Sequence, residues 1–444
     1  MKQFQYLFSF ILALSISISV SAGPKKMMNP PGKVQLFQYN QLANPNILYS
    51  PWNYQQKKNY LSIQVFQGNS SNAVTTNFVH SILLNKYLDN NTKQNTFNRL
   101  KKNNLYEDEI NAEITYARYV ENCKFLGKHY FFVGYKFRNM RTMKFDKEVF
   151  QLVFAGNKAF EEDTINIDNT SFDYTGYNQY QIGINKIYEK GNKKYSIGLA
   201  FSLLQSPVNI NIEAKNSSIY TATDGEYLDV KYNMGINQAN QGPPEFFSFK
   251  GTGIGIDLNF SYFNDQKNSF RISATDLGFI KYTKDLNNYS ADSSLRFEGI
   301  QIENLLNFAT PSILQNFEAD SLFKIVNIKA TQKAYTNVLS STFHVSYSHF
   351  VLHKNGLITF GLQYKLSPRY FPQLYSKFSY QLAHGFIPSV SASFGGYTYY
   401  NIGLEIAKTF RFGVLSLGST NIPGLFATKH FTSSSIYLRT AIVF

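Results

Sequence analysis

Three sets of residues have types and spacings that could do chemistry. Gly251-Thr-Gly-Ile-Gly255 has the glycine density of a phosphate-cradling loop. It lacks a third glycine at dinucleotide spacing, and apolar/polar alternation runs on to Phe260 instead of opening a helix, so no nucleotide is expected. His344, His349 and His353 cluster along one predicted strand. His349 and His353 share a face there but stand about 13 Å apart at about 3.3 Å per residue, too far for one metal. The third set is carboxylates. Asp257 and Glu405 fall on the polar parity of their strands, where pairing with Lys or Arg is more often structural than catalytic. Asp276 falls on the greasy parity set by Phe270, Ile272 and Ala274, and Leu277 and Phe279 restart that parity one residue later. Such a slip predicts a β-bulge, with Gly278 easing the backbone and Asp276 taken out of apolar surroundings. No Gly-x-Ser-x-Gly elbow, His-Glu-x-x-His pair or calcium loop appears. No enzyme, cofactor or metal site is therefore expected.

The elements that carry these residues are strands with two unlike faces. In 251–263, Ile254, Ile256, Leu258 and Phe260 share one parity, and Gly253, Gly255, Asp257, Asn259 and Ser261 share the other. Side chains alternate across a strand, so the pattern fits a sandwich with a greasy core or a barrel with a greasy outside. It recurs from about residue 109: Ile110 to Tyr116, Phe131 to Phe137, Tyr195 to Leu203, Ile358 to Tyr364 and Val390 to Phe394. Turns between the runs are rich in Asn, Asp, Gly and Lys, as at 189–192, 264–268 and 354–356. Counting segments predicts about 14 strands.

Three stretches break the period. Thr76 to Lys102 has apolar residues at helical spacing, 146–157 reads as one helix ending at Gly156-Asn157, and 302–322 reads as two short helices around Pro311. Irregular backbone is not tolerated against lipid, so these are expected in the lumen or at the periplasmic mouth. The organisation expected is a signal peptide over 1–22, a plug or periplasmic segment over 23–105 that carries a first strand at Leu61–Val65, and a barrel over 106–444.

The chain opens with Lys2 and an apolar run to Val20, then Val20-Ser-Ala22, which predicts cleavage between Ala22 and Gly23. Residue 23 is glycine, so a lipid-modified cysteine is not expected. Cys123 is the single cysteine, which rules out an intramolecular disulfide. Lys and Arg total 43 against 29 Asp and Glu, a net +14, but the basic residues are scattered and no nucleic-acid module is present. Mean hydropathy of −0.26 would suggest a soluble protein, but alternating strands average out in any window. The 32 tyrosines suit both a membrane interface and a polar lumen.

The end of the chain chooses between sandwich and barrel. Counting back by twos from the terminal Phe444 gives Ile442, Thr440, Leu438 and Ile436. That is the shape of a closing strand, with Ile436, Leu438, Ile442 and Phe444 facing lipid and forming the signal read by barrel-assembly machinery. The fold expected is all-β: a transmembrane antiparallel β-barrel in the outer membrane, with short helices in a plug or loops.

Several landmarks in order resemble the Bacteroidota outer-membrane β-barrels of the domain of unknown function 5723 type, which are distantly similar to long-chain fatty-acid transporter barrels. They are Leu42-Ala-Asn44-Pro45-Asn46, Phe154-Ala-Gly156-Asn157, Gly251-Thr-Gly-Ile-Gly-Ile-Asp257-Leu258, Thr275-Asp276-Leu277-Gly278-Phe-Ile280, Phe297-Glu-Gly-Ile300 and Ser419-Thr-Asn-Ile-Pro423. Asn46 stands where that family has alanine, and Thr-Asn-Ile departs from its Thr-Asp-Asn order. The resemblance implies architecture more than activity. Two functions stay open: passage of small apolar or amphipathic molecules through a plugged lumen, or a scaffold in an envelope assembly such as secretion or gliding machinery. The partners expected are the bilayer, lipopolysaccharide, the assembly machinery and envelope proteins, with no nucleic acid.

Overall fold

A strand with one apolar and one polar face satisfies both when its sheet closes on itself, greasy side out. The computed structural model describes Leu36, Tyr39, Asn40 and Leu42, and residues 58–84, 86–121, 123–191, 193–239, 248–264, 268–297, 331–367 and 370–444. Its first strands are β1 (Asn59–Ser71), β2 (Asn104–Val120), β3 (His129–Phe145), the short β4 (Thr164–Asn166), β5 (Ser171–Lys190) and β6 (Lys193–Ala214). Next come β7 (Ser218–Thr221), β8 (Leu228–Ala239), β9 (Gly251–Asn264), β10 (Asn268–Tyr282), β11 (Leu286–Phe297) and β12 (Tyr335–Val338). The last are β13 (Thr342–Val351), β14 (Gly356–Lys365), β15 (Phe371–Tyr380), β16 (Phe386–Gly396), β17 (Thr398–Phe410), β18 (Gly413–Ser419) and β19 (Ser433–Val443).

Fourteen of these form a closed antiparallel barrel: β1, β2, β3, β5, β6, β9, β10 and β13 to β19 in turn. The seam is β1 against β19, Tyr60 opposite Val443, with Asn59 and Phe444 exchanging two backbone hydrogen bonds of 3.0 Å. β4, β7, β8, β11 and β12 extend the wall on one side, where the last residues of β6 leave β9 and pair with β8. No helix among the described residues is long and apolar enough to cross a membrane.

The faces follow the parity of the sequence. Ile254, Ile256 and Leu258 are exposed on the outside, while Asp257 is fully buried within. In β19, Ile436 and Phe444 are likewise exposed and Tyr437 and Arg439 line the interior. Tyr180 also points outward, beside Tyr135 at 5.6 Å between ring centroids.

The two ends differ. Near Asn59 and Phe444, the β5–β6, β9–β10 and β17–β18 connections are two or three residues long. Long connections gather at the opposite, distal end. There α1 (Thr76–Leu83), α2 (Asn90–Phe97) and α3 (Lys147–Ala155) pack together around Phe78, Phe97, Phe145 and Phe150, with Phe78 and Phe150 centroids 5.1 Å apart. Thr75 caps α1 by accepting from the Phe78 amide, and Gly156 ends α3 at φ 84°.

This placement corrects two expectations. The barrel begins at Asn59, not at 106, because β1 is a stave paired on both edges. The helices between β1 and β2, and the one after β3, lie at the distal mouth and not at the terminal one, because each follows a strand running away from the termini. The segment 302–322 lies outside the described residues.

Candidate functional site

Lumen-facing positions hold the chemistry of this molecule, because a charge there can find a partner across the barrel and one outside cannot. On β3 the apolar parity of Phe131, Val133 and Tyr135 leaves Lys136 and Arg138 pointing inward. Lys136 Nζ lies 2.7 Å from Asp257 Oδ2 on β9, with both side chains buried. Gln181 also donates to Asp257 Oδ2 at 2.6 Å, and the Asp276 amide donates to Oδ1 at 2.7 Å. The pairing register shifts between Ala274 and Leu277, and Asp276 takes φ 59°, so the bulge sits where the parity slips. It turns the Asp276 carboxylate inward, 3.9 Å from Arg138, whose other carboxylate neighbour is Glu113 at 3.7 Å. Leu277 is registered opposite Ile256. At Gly278 a Cβ would stand 2.3 Å from the Ile254 carbonyl oxygen, so the close approach of β9 and β10 requires glycine.

Two further clusters mark the ends of the lumen. At the distal end Lys365 on β14 reaches Glu107 at 3.0 Å and Glu109 at 2.7 Å on β2, seven strands away by either route. Tyr370 and Tyr397 pack against Leu105 beside this bridge. Toward the terminal end Glu405 holds Lys377 at 3.1 Å and Arg439 at 3.6 Å and accepts from Tyr437 at 2.6 Å. The Tyr39 hydroxyl also donates to Glu405, and it lies 3.2 Å from Ser389 Oγ. Asn40 is held on another wall: it donates to Ser269 at 3.4 Å and accepts twice from Arg271. Leu36, Tyr39 and Leu42 join an apolar cluster with Tyr60, Phe132, Ile387 and Val443 inside the barrel. Leu36, Tyr39, Asn40 and Leu42 thus plug the lumen near the termini.

Between plug and bridge lies a cavity of about 440 Å³. Its lining carries five acidic side chains (Glu107, Glu109, Glu113, Asp276, Glu405) and five basic ones (Lys136, Arg138, Lys365, Lys377, Arg439), interleaved with tyrosines 39, 177, 370, 375, 397 and 437. The formal charge of that wall is balanced, which fits neither a cation-selective nor an anion-selective ring.

Of the residues singled out in the sequence, Asp257, Asp276 and Glu405 meet in this lumen. Gly156 and Asn157 sit at the distal mouth, and Ile436, Leu438, Ile442 and Phe444 lie on the outer parity of β19. Ala22, Gly23, Asn44 and Pro45 lie outside the described residues. The histidines do not converge: His344 is buried beside Tyr375 at 2.7 Å, His349 is exposed beside Asn268, and His353 is in a turn. Among the described residues no group of His, Cys, Asp and Glu could hold a metal. Tyr39 and Asn40 gave no signal in the sequence, and Arg271 gave only its place on the polar parity between Phe270 and Ile272. Lys136 and Lys365 did, by falling on polar parity, although their partners could not be named.

No curated protein matches the chain. Among solved structures it is similar to the Pseudomonas putida toluene transporter TodX, at 8% identity and a TM-score of 0.45 over 92% of this chain and 94% of that one. It is also similar to a Pseudomonas aeruginosa FadL homologue, at 7% identity and a TM-score of 0.40 over 94% and 99%. The translocator domain of the autotransporter NalP from Neisseria meningitidis gives 8% identity and a TM-score of 0.34 over 92% and 95%. At these values none of the three bears on solute or mechanism. The model for the family of unknown function DUF5723 matches residues 53–416, and the chain belongs to that family.

Proposed function

We propose that the protein is an outer-membrane conduit that rests closed and passes small amphipathic molecules. The observation that carries this is the lumen cavity, lined by fixed charges of both signs and by tyrosine rings. A wholly apolar molecule gains nothing from such a lining, because the ion pairs must stay solvated or paired. A molecule with a polar head and a short apolar body can use both the charges and the rings. The outer-membrane location is supported by the apolar outer band, the short turns at one end and the long loops at the other, and in this reading the termini lie on the periplasmic side. The bilayer, lipopolysaccharide at the distal rim and the machinery that reads the Phe444 strand are the partners this implies.

The test is efflux from proteoliposomes. A variant lacking residues 23–57 and carrying Lys365→Gln keeps β1 and removes both the plug and the distal bridge. It should release a short-chain zwitterionic amphiphile faster than intact protein does, and faster than it releases a neutral sugar of equal size. Equal efflux from intact protein and this variant would sink the proposal. A scaffold role is favoured by one observation, that Lys365 ties opposite walls together. It would take over if both proteins stayed closed and envelope proteins co-purified with them.

A further inference from the structure

Arg271 is the buried lumen charge that the fold leaves unanswered. It stands on the inner parity of β10, is fully buried, and lies over the Phe263 ring at 4.8 Å. Its Nη2 donates to two oxygens of Asn40, the backbone carbonyl and the side-chain carbonyl, each at 3.2 Å. Nε and Nη1 have no hydrogen-bond partner among the described residues. Every basic side chain of the cavity wall has a carboxylate: Lys136 has Asp257, Arg138 has Glu113 and Asp276, Lys365 has Glu107 and Glu109, and Lys377 and Arg439 share Glu405. Arg271 pairs with no carboxylate among the described residues. The plug brings none either, since no Asp or Glu precedes Asp89 in the chain.

A guanidinium taken out of water is costly unless an anion with matching hydrogen bonds answers it. The two neutral oxygens of Asn40 meet only Nη2 and leave the charge unanswered. A carboxylate or a phosphate binds a guanidinium through two nitrogens side by side, so one that takes Nη2 together with Nε or Nη1 displaces Asn40. The surroundings suit an oxyanion. Ser346 stands directly across from Arg271 on β13. His344, on the same face, has its Nε2 at Tyr375 and leaves Nδ1 without a partner.

We propose that Arg271 is an oxyanion site for which Asn40 is the placeholder. A carboxylate or phosphate group entering by the terminal mouth takes the guanidinium, and the plug loses its hold on Arg271 while Tyr39 still reaches Glu405. The seating of Tyr39 and Asn40 thereby depends on small oxyanions. This goes beyond the conduit reading and holds whether or not any solute passes, so the readout is plug seating and not transport.

The single tryptophan, Trp52, lies in the chain between the plug and β1 and can report on that segment. Folded protein in neutral detergent is titrated with sodium acetate and, separately, with sodium phosphate, ionic strength being held constant with sodium chloride. Trp52 fluorescence and trypsin cleavage before β1 are followed together. A saturable change with either anion is expected, and the anion that acts tells carboxylate from phosphate. Asn40→Asp supplies the missing carboxylate in place, so it should raise the midpoint at least tenfold without disturbing the barrel wall. Arg271→Gln should abolish the response in protein that still shows heat-modifiable migration. No saturable change with either anion in either readout would overturn the site, and so would a wild-type midpoint in Asn40→Asp.

Discussion

A buried ion pair stabilises this barrel less by its own strength than by what its loss would strand. Lys136 and Asp257 lie 2.7 Å apart with side-chain exposures of 4% and 0%. Lys136→Met leaves a buried carboxylate with only Gln181 and the Asp276 amide, and should cost about 3 kcal/mol, low in the range for breaking such a pair. Adding Asp257→Asn removes the stranded charge, so the double variant should unfold in denaturant at less than the summed cost of the two single ones. Strict additivity would mean that the two groups do not feel each other. The outer face makes the opposite demand. Ile256→Arg should cost about 2–4 kcal/mol if it lies near the bilayer midplane, whereas Gln64→Arg, on the cavity wall, should fold with near-normal yield. Heat-modifiable migration checks both, and equal tolerance would reverse the faces. At this scale the sequence is informative about direction and silent about partners. Parity says that Lys136 and Asp257 point inward, but not that they meet.

Pairs of strands explain which local features could be read in advance. The slip around Asp276 was legible because a bulge adds one residue to a period of two, and the register shift falls there. The need for glycine at 253, opposite Ile280, was not, since it depends on how closely β9 and β10 approach. A Cβ at Gly253 would stand 2.0 Å from the Phe279 carbonyl oxygen. Gly253→Ala should therefore destabilise the β9–β10 pair by about 1–3 kcal/mol, read as a lower denaturant midpoint, while Gly235→Ala, where a Cβ would meet open space, should cost less. The helices teach a different lesson. Helical spacing in 76–102 marks an apolar face but carries no address. Their position follows from counting: β1 leaves the terminal end, so whatever precedes β2 sits at the distal one. Treating Leu61–Val65 as part of a plug lost that count.

On the scale of the whole molecule, neighbours in the barrel are neighbours in the chain, which is why fourteen strands could be counted from alternation and turns. What crosses the lumen is non-local. Lys365 and Glu107 sit on strands seven apart by either route, and no spacing in the sequence relates them. Tyr39 and Asn40 fall in no period and no motif, so they were invisible until closure placed Glu405 and Arg271 around them. The central claim is that the lumen is shut at two places in series, by Leu36, Tyr39, Asn40 and Leu42 near the termini and by the Lys365 bridge at the distal end. Obstacles in series conduct only when both are open. The most direct measurement is planar-bilayer conductance of four proteins: intact, lacking residues 23–57, Lys365→Gln, and the two changes combined. Intact protein should be silent, each single change should give at most brief openings, and the combination should give steady conductance. A combined variant as silent as the intact protein would contradict the account.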